Sequence, residues 1–422
     1  MRIEAQTAIS GYFTLVVAVS VTGRLMGGGF GLDAFLNGAL ALVVFGALFL
    51  WLMAHVRMPD GPRLQVERSV LPHVVVLCLM IVSGAAIGTV AGNAPLYLVS
   101  TTIYWLNVLL FTLYVSTLDC GRTDILRFGK WVAALFALFA FAGIGPDIAI
   151  ANMLICLAVI FALGERRIGW ALLCILPFVL NSGGLNRAGL VTLAVCVALG
   201  AVIYRRWLFL GVFLAAVAGI VASFTALEIG ALAEPGTSLN RRLIELQTLM
   251  TGTRALDEIT ALAQRLYEIR LVNQAMADAG PLQQLLGAGF GRTVDMTASQ
   301  DDAVLSSATI GAAHVHNIHS LPHALYLRNG ALGLVFLALV LLTSLLHVLR
   351  AMMLAAPAPF TVFCVLFPLA TLVTATPASN HFLTEFIVLA LIAQAGQMLR
   401  RAPVRPATTP RLQWRPRLVW RA

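Results

Sequence analysis

Charge is what this chain lacks most. Asp, Glu, Lys and Arg make up 11% of its 422 residues, while hydrophobic side chains make up 59%. A soluble domain carries about a quarter charged residues, so a chain this apolar, with a mean hydropathy of +0.89, has lipid as its main solvent. Strand-length alternation is also missing, which excludes a membrane barrel and leaves an all-α bundle as the way to satisfy the backbone in hydrocarbon. Cysteine is sparse: Cys78, Cys120, Cys156, Cys174, Cys196 and Cys364 fall in apolar stretches or in turns assigned below to the cytoplasm. No disulfide framework is expected, and these residues read as small packing groups. The chain has no Asp-x-Asp and no His-Glu-x-x-His, and the adjacent Asp301 and Asp302 make a poor clamp alone. Neither a metal nor another cofactor is expected. No Ala-x-Ala cleavage site follows the first apolar stretch, which therefore reads as a retained helix.

Long apolar stretches are abundant. They recur at about 8–28, 35–55, 70–92, 95–117, 128–145, 147–164, 168–182, 187–204, 207–227, 321–348, 358–377 and 380–399, each of a size to be read as a membrane helix. Twelve spans put both termini on one side. The tail 400–422 holds Arg400, Arg401, Arg405, Arg411, Arg415, Arg417 and Arg421 and no acid, which marks that side as cytoplasmic. The even-numbered turns agree, with Arg57, Arg63 and Arg68, then Arg122, Arg127 and Lys130, then Arg166 and Arg167, then Arg205 and Arg206, and finally Arg350. A net charge of +9 is thus explained by topology, and no nucleic-acid partner is expected. Arg24 and Arg187 run against this trend, which invites a functional reading of them.

Four segments follow: 1–227 with spans one to nine, a polar loop 228–320 on the outer side, 321–399 with spans ten to twelve, and the basic tail 400–422. The loop holds ten acids and six arginines. Within it Leu256, Ile259, Leu262, Leu266, Ile269, Val272 and Met276 recur every three or four residues, the mark of an amphipathic helix that caps the bundle or lies on the membrane. Asn240 to Met250 suggests a shorter one. Gly280-Pro281 ends the long helix, and Gly287-Ala-Gly289-Phe-Gly291 is a glycine-rich loop; with no strand before it, it is not a nucleotide fingerprint.

The densest polar cluster is His314, His316, Asn317, His319 and His323, where the loop meets span ten. Ser320 followed by Leu321-Pro322 signals a helix start, with Ser320 as cap. His319 then sits beside open backbone N–H groups that suit an anion and that favour a neutral imidazole, the form a general base requires. Three readings fit this cluster: a packed histidine-rich loop, a zinc site of His316, His319 and His323, or a catalytic base.

His319-Ser320, nine residues, then Gly330-Ala-Leu-Gly333 resembles the signature of the O-antigen ligase and polysaccharide polymerase superfamily, where His and a small polar residue precede Gly-x-x-Gly by nine residues. Arg265-Leu-Tyr-Glu-Ile, Pro281 and Leu285-Leu-Gly-Ala-Gly-Phe-Gly291 resemble the family's arginine helix and Pro-Leu-Leu-Gly-x-Gly segment, with three extra residues after Pro281. Asn186-Arg187-Ala188-Gly189 resembles its Ser-Arg-Gly/Ala turn, with Asn for Ser. The likeness covers about 181–333; the first six spans match in architecture alone.

The resemblance implies a C-type membrane glycosyltransferase in a bacterial inner membrane, with its active site on the periplasmic face, and the lack of Asp-x-Asp makes the expected mechanism metal-independent. The donor would be an undecaprenyl-pyrophosphate-linked glycan held among membrane lipids. The acceptor would be a glycan, as in a polymerase of exopolysaccharide or other surface polysaccharide, or lipid A core, as in a ligase of lipopolysaccharide biosynthesis. His319 would be the base, with His316 as second choice, since its own spacing to Gly330 is twelve residues. Arg265 and Arg187 would clamp the pyrophosphate. Asn317, Arg328, His381 and Glu385 stand as candidate supporting residues. The bland alternatives are an Arg265–Glu268 pair, an Arg328–Glu385 pair and snorkelling arginines. Two other classes fit the architecture: a transporter or flippase, and an assembly partner without catalysis.

Overall fold

The computed structural model describes residues 4–25, 30–57, 66–119, 125–180, 187–226, 244, 260–296, 314–316, 318–376 and 386–402. The helices are α1 (Ala5–Leu25), α2 (Phe30–Arg57), α3 (Leu71–Val90), α4 (Pro95–Ser116), α5 (Ile125–Phe141), α6 (Ile148–Val159, continued by a π-helical turn Ile160–Gly164), α7 (Ile168–Leu180), α8 (Arg187–Ile203) and α9 (Trp207–Ala226). After them come α10 (Thr260–Ala277), α11 (Pro281–Leu286), a short antiparallel pair β1 (Val294–Asp295) and β2 (His314–Val315), α12 (Leu321–Met353), α13 (Pro359–Ala375) and α14 (Val388–Arg401). Proline in the first turn starts α3, α4, α12 and α13, where a missing N–H costs nothing.

Each of the twelve apolar stretches carries a helix. Among the described residues, five are long and apolar enough to cross a membrane: α1, α2, α3, α4 and α12. Among the described residues others are shorter, such as α6 with its π turn (Ile148–Gly164) and α13 (Pro359–Ala375). The chain is all-α apart from the two-residue strands, and its long apolar helices fit a protein embedded in a membrane. The expected helix at Asn240 to Met250 lies outside the described residues.

α13 is the central helix, buried along nearly its whole length and packed by α6, α8, α12 and α14. A helix apolar on every side belongs in such a place. The connections sort to two ends. At the lower end, the Ala5 N–H donates to Asp119 O, Gln394 and Gln397 donate to Val115 O and Ser116 O, Arg400 pairs with Glu67, Arg206 reaches Leu163 O, and Arg205 reaches Met352 O. All five even-numbered turns and both ends of the bundled chain are represented there, as alternating spans require. At the upper end, the start of α12 meets the end of α13, where the Leu321 N–H points at Thr376 O, 3.3 Å away. The start of α8 joins the same end: the Thr192 hydroxyl lies 2.9 Å from that of Thr374, which donates to Asn152 Oδ1 near the start of α6.

Candidate functional site at the upper end

The site begins with a break in a helix. α12 is non-helical at Gly330, with φ 57° and ψ −148°, so the carbonyls before the break lose their helical partners. The glycine-rich loop replaces them: Ala288 N–H donates to Leu327 O at 2.8 Å and Gly289 N–H to Arg328 O at 3.2 Å. This approach needs glycine. Gly287 and Gly289 have φ of 84° and 83°, and a Cβ would come within 2.3 Å of the Arg328 carbonyl at the first and of the Gly88 nitrogen at the second. On its other side Phe290 N–H donates to Gly84 O at 2.8 Å, and Asn93 Nδ2 donates to the carbonyls of Ala288 and Phe290, each at 2.9 Å. The loop is bolted between α3 and the kink of α12, with these N–H groups spent on protein carbonyls.

β1 and β2, in register Val294 with Val315 and Asp295 with His314, bring the histidine segment beside that loop. His316 is buried. Its ring stacks on Tyr97 at 4.3 Å between centroids, Nδ1–H donates to Arg292 O at 3.2 Å, and Thr101 Oγ1 lies 3.4 Å from Nε2. Burial, then the nearby Arg328 charge, pushes its pKa down to about 3. Both ring nitrogens are engaged, so His316 is a neutral pin for the segment.

His319 is arranged differently. Glu268, wholly buried on α10, accepts from the His319 backbone N–H at 2.8 Å and from Nδ1 at 2.9 and 3.1 Å. A carboxylate can only accept, so Nδ1 carries a proton, and in the neutral form of the ring the lone pair is on Nε2. The imidazole is 38% exposed. Gln264 Nε2 supports the carboxylate at 3.2 Å. Glu268, Val272 and Met276 are buried at steps of four along α10, and the last two pack with Ala288, Ile318, Ala324 and Leu327. The amphipathic stretch is therefore a cap on the bundle, and its apolar stripe delivers the carboxylate. Charge spacing alone gives Glu268 as a partner for Arg265; its phase with Val272 and Met276 is the signal for a buried acid.

Two expectations are corrected. Ser320 does not cap α12, because its hydroxyl lies 2.7 Å from His323 Nδ1 instead. The N–H groups at the helix start are not all open to an anion, since Glu268 takes that of His319 and Thr376 O that of Leu321. Arg265 lies three residues before Glu268 on α10, so the two share a face, and Arg265 is half-buried. Arg187 opens α8 at the same upper end, and its side chain lies outside the described residues, as do Asn317, His381 and Glu385. Arg328 is buried and donates Nη2 to His316 O at 2.7 Å; with Glu385 undescribed, their expected pairing is outside this description. Among the described residues no three His, Cys, Asp or Glu side chains are grouped to hold a metal.

No protein-family model matches the chain, and no curated protein matches it.

Proposed function

We propose that the chain is a membrane glycosyltransferase of the O-antigen ligase or surface-polysaccharide polymerase type, crossing the membrane twelve times with its upper end at the periplasmic face of the inner membrane. The observation that carries this reading is the Glu268–His319 pair: a buried carboxylate holds Nδ1–H of an imidazole that is 38% exposed and leaves Nε2 as its other nitrogen. That arrangement suits a general base, as in other carboxylate–histidine pairs. The family resemblance supplies the substrates. His319 Nε2 takes the proton of the acceptor hydroxyl as its oxygen attacks the anomeric carbon from the face opposite the leaving group. The bond from that carbon to the pyrophosphate oxygen breaks, undecaprenyl pyrophosphate leaves with the electron pair, and the anomeric centre inverts. Glu268 keeps the ring in the correct tautomer and stabilises the imidazolium that forms. Arg265 and Arg187 neutralise the growing diphosphate charge with forked hydrogen bonds.

The test is transfer by purified protein in bilayers containing an undecaprenyl-pyrophosphate-linked glycan, with lipid A core or a second lipid-linked glycan as acceptor. His319→Ala removes the base and is expected to lower turnover about 10²- to 10⁴-fold. Arg265→Ala and Arg187→Ala are expected to lower it too, and EDTA to leave it unchanged. Full transfer by His319→Ala sinks the mechanism; lipid-linked glycan moved across the bilayer without transfer supports a flippase instead.

A further inference from the structure

Arg328 is used neither by the membrane topology nor by the Glu268–His319 pair. Its side chain is 2% exposed, it forms no ion pair among the described residues, and its Nε meets no hydrogen-bond partner. A guanidinium in such a place is costly unless it holds something together. Arg328 joins three segments, one through its guanidinium and two through its backbone. Nη2 donates to His316 O at 2.7 Å, and the Arg328 carbonyl receives Gly289 N–H from the glycine-rich loop. Its own backbone closes the first part of α12, just before the break at Gly330, where a cation suits the negative helix end.

His316 lies three residues before His319. Across those residues the segment is fastened by the His316 ring, by Ile318 packed against Ala324, Leu327 and Val272, and by the His319 N–H on Glu268. The bond from Arg328 fastens the carbonyl where the segment turns from β2 toward α12, and it is charge-assisted, hence stronger than a neutral one. Side-chain burial keeps Arg328 away from a substrate in the membrane or the periplasm. We infer that Arg328 is a positioning residue for His319, its guanidinium fixing the imidazole by locking the His316 carbonyl to the end of the first part of α12, which the glycine-rich loop closes. This rests on the reading of His319 as the base.

The test compares wild type with Arg328→Met, which keeps length and removes the charge, and Arg328→Lys, which keeps the charge without the fork. Turnover and donor KM are measured with lipid-linked glycan, and the rate at which diethyl pyrocarbonate modifies His319 is followed by mass spectrometry. Arg328→Met is expected to lower kcat about 100-fold, the loss a shift of about 1 Å can cause. Its donor KM is expected within threefold of wild type, and its His319 modification rate at least threefold changed. Arg328→Lys should recover part of both. A raised KM with unchanged kcat would make Arg328 a donor contact and overturn the inference, as would wild-type turnover and modification in Arg328→Met. Should Arg328→Met fail to fold, Arg328→Lys decides by the same two readouts. Loss of transfer in His319→Ala beside normal Arg328→Met would sink the positioning role alone. Normal transfer in His319→Ala would sink the reading of the site, and the modification rate would still report whether Arg328 holds His319.

Discussion

At the lower end of the bundle Arg400 pairs with Glu67, and Arg205 and Arg206 hold the Met352 and Leu163 carbonyls. At the upper end Glu268 is buried against a half-exposed histidine, and Arg328 is buried against a neutral carbonyl. The lower end ties arginines to turns at the bundle's margin, with Arg205 exposed and Arg400 half exposed. Glu67 at the lower end is also buried, but against a charged, half-exposed partner. At the upper end Arg328 is buried with no ion pair among the described residues and Glu268 with a histidine, a cost retained where it organises a site. Ionisable groups thus act as struts at one end and as site geometry at the other.

The largest effect that would sharpen this contrast is on turnover. Glu268→Gln keeps the shape and removes the charge that stabilises the imidazolium, so transfer should fall about 10²- to 10⁴-fold. Arg400→Gln at the lower end should leave turnover within a factor of two. Equal losses from both in the same assay would erase the distinction between the ends.

Next in size is a steric test of the glycine-rich loop. Gly289→Ala places a Cβ at φ 83° within 2.3 Å of the Gly88 nitrogen and should cost about 2–4 kcal/mol, read as a lower melting temperature in detergent. Gly143 has a φ of 75° but open space around it, so Gly143→Ala should cost about 1–2 kcal/mol, from backbone conformation alone. Similar losses would mean the loop is not clamped.

Much of this architecture is legible from apolar run lengths, because hydropathy and arginine placement act locally along the chain. The sorting of turns to two ends follows from alternation, and the phase of Leu266, Ile269, Val272 and Met276 marks α10 as amphipathic, while its place as a cap rests on Val272 and Met276 packing with Ala288, Ile318, Ala324 and Leu327. What was not legible depends on contacts far apart in sequence. His319 meets Glu268 across 51 residues; the phase of Glu268 with Val272 and Met276 marks a buried acid, but nothing beside it names His319 as the partner. The glycine-rich segment reads in sequence only as a loop, and its role in closing the kink of α12, through Ala288 and Gly289 N–H on the Leu327 and Arg328 carbonyls, lies in contacts distant along the chain. Spacing favoured His319 over His316, and burial supplies the reason to separate them.

A smaller effect concerns pH. His316 titrates near 3 when folded and near 6.5 when unfolded, so between those values the unfolded chain binds a proton that the folded chain does not. Stability from this residue is present above pH 6.5 and lost progressively as pH falls toward 3. Melting temperature should therefore drop on acidification from pH 7 to 4, and His316→Gln should flatten that slope. An unchanged slope would show that His316 is not the buried neutral pin described.

The smallest effect belongs to the lower end. Arg205 has φ 56°, a conformation that costs a non-glycine residue about 1–2 kcal/mol. It occupies the left-handed position of a helix-ending motif in which Arg206 N–H donates to Ala201 O and Arg205 N–H to Val202 O, where glycine is usual. Arg205→Gly relieves the strain, gives up one exposed bond to Met352 O, and adds freedom to the unfolded chain. These terms leave a gain of about 0.5–1 kcal/mol at most, a rise of a few degrees in melting temperature, with transfer within twofold of wild type. Arg166, with φ 57° after α6, should respond alike. A clear fall in melting temperature for either variant would mean that these arginines hold the lower end by more than their visible bonds, and the contrast between strut and site would then be narrower than drawn.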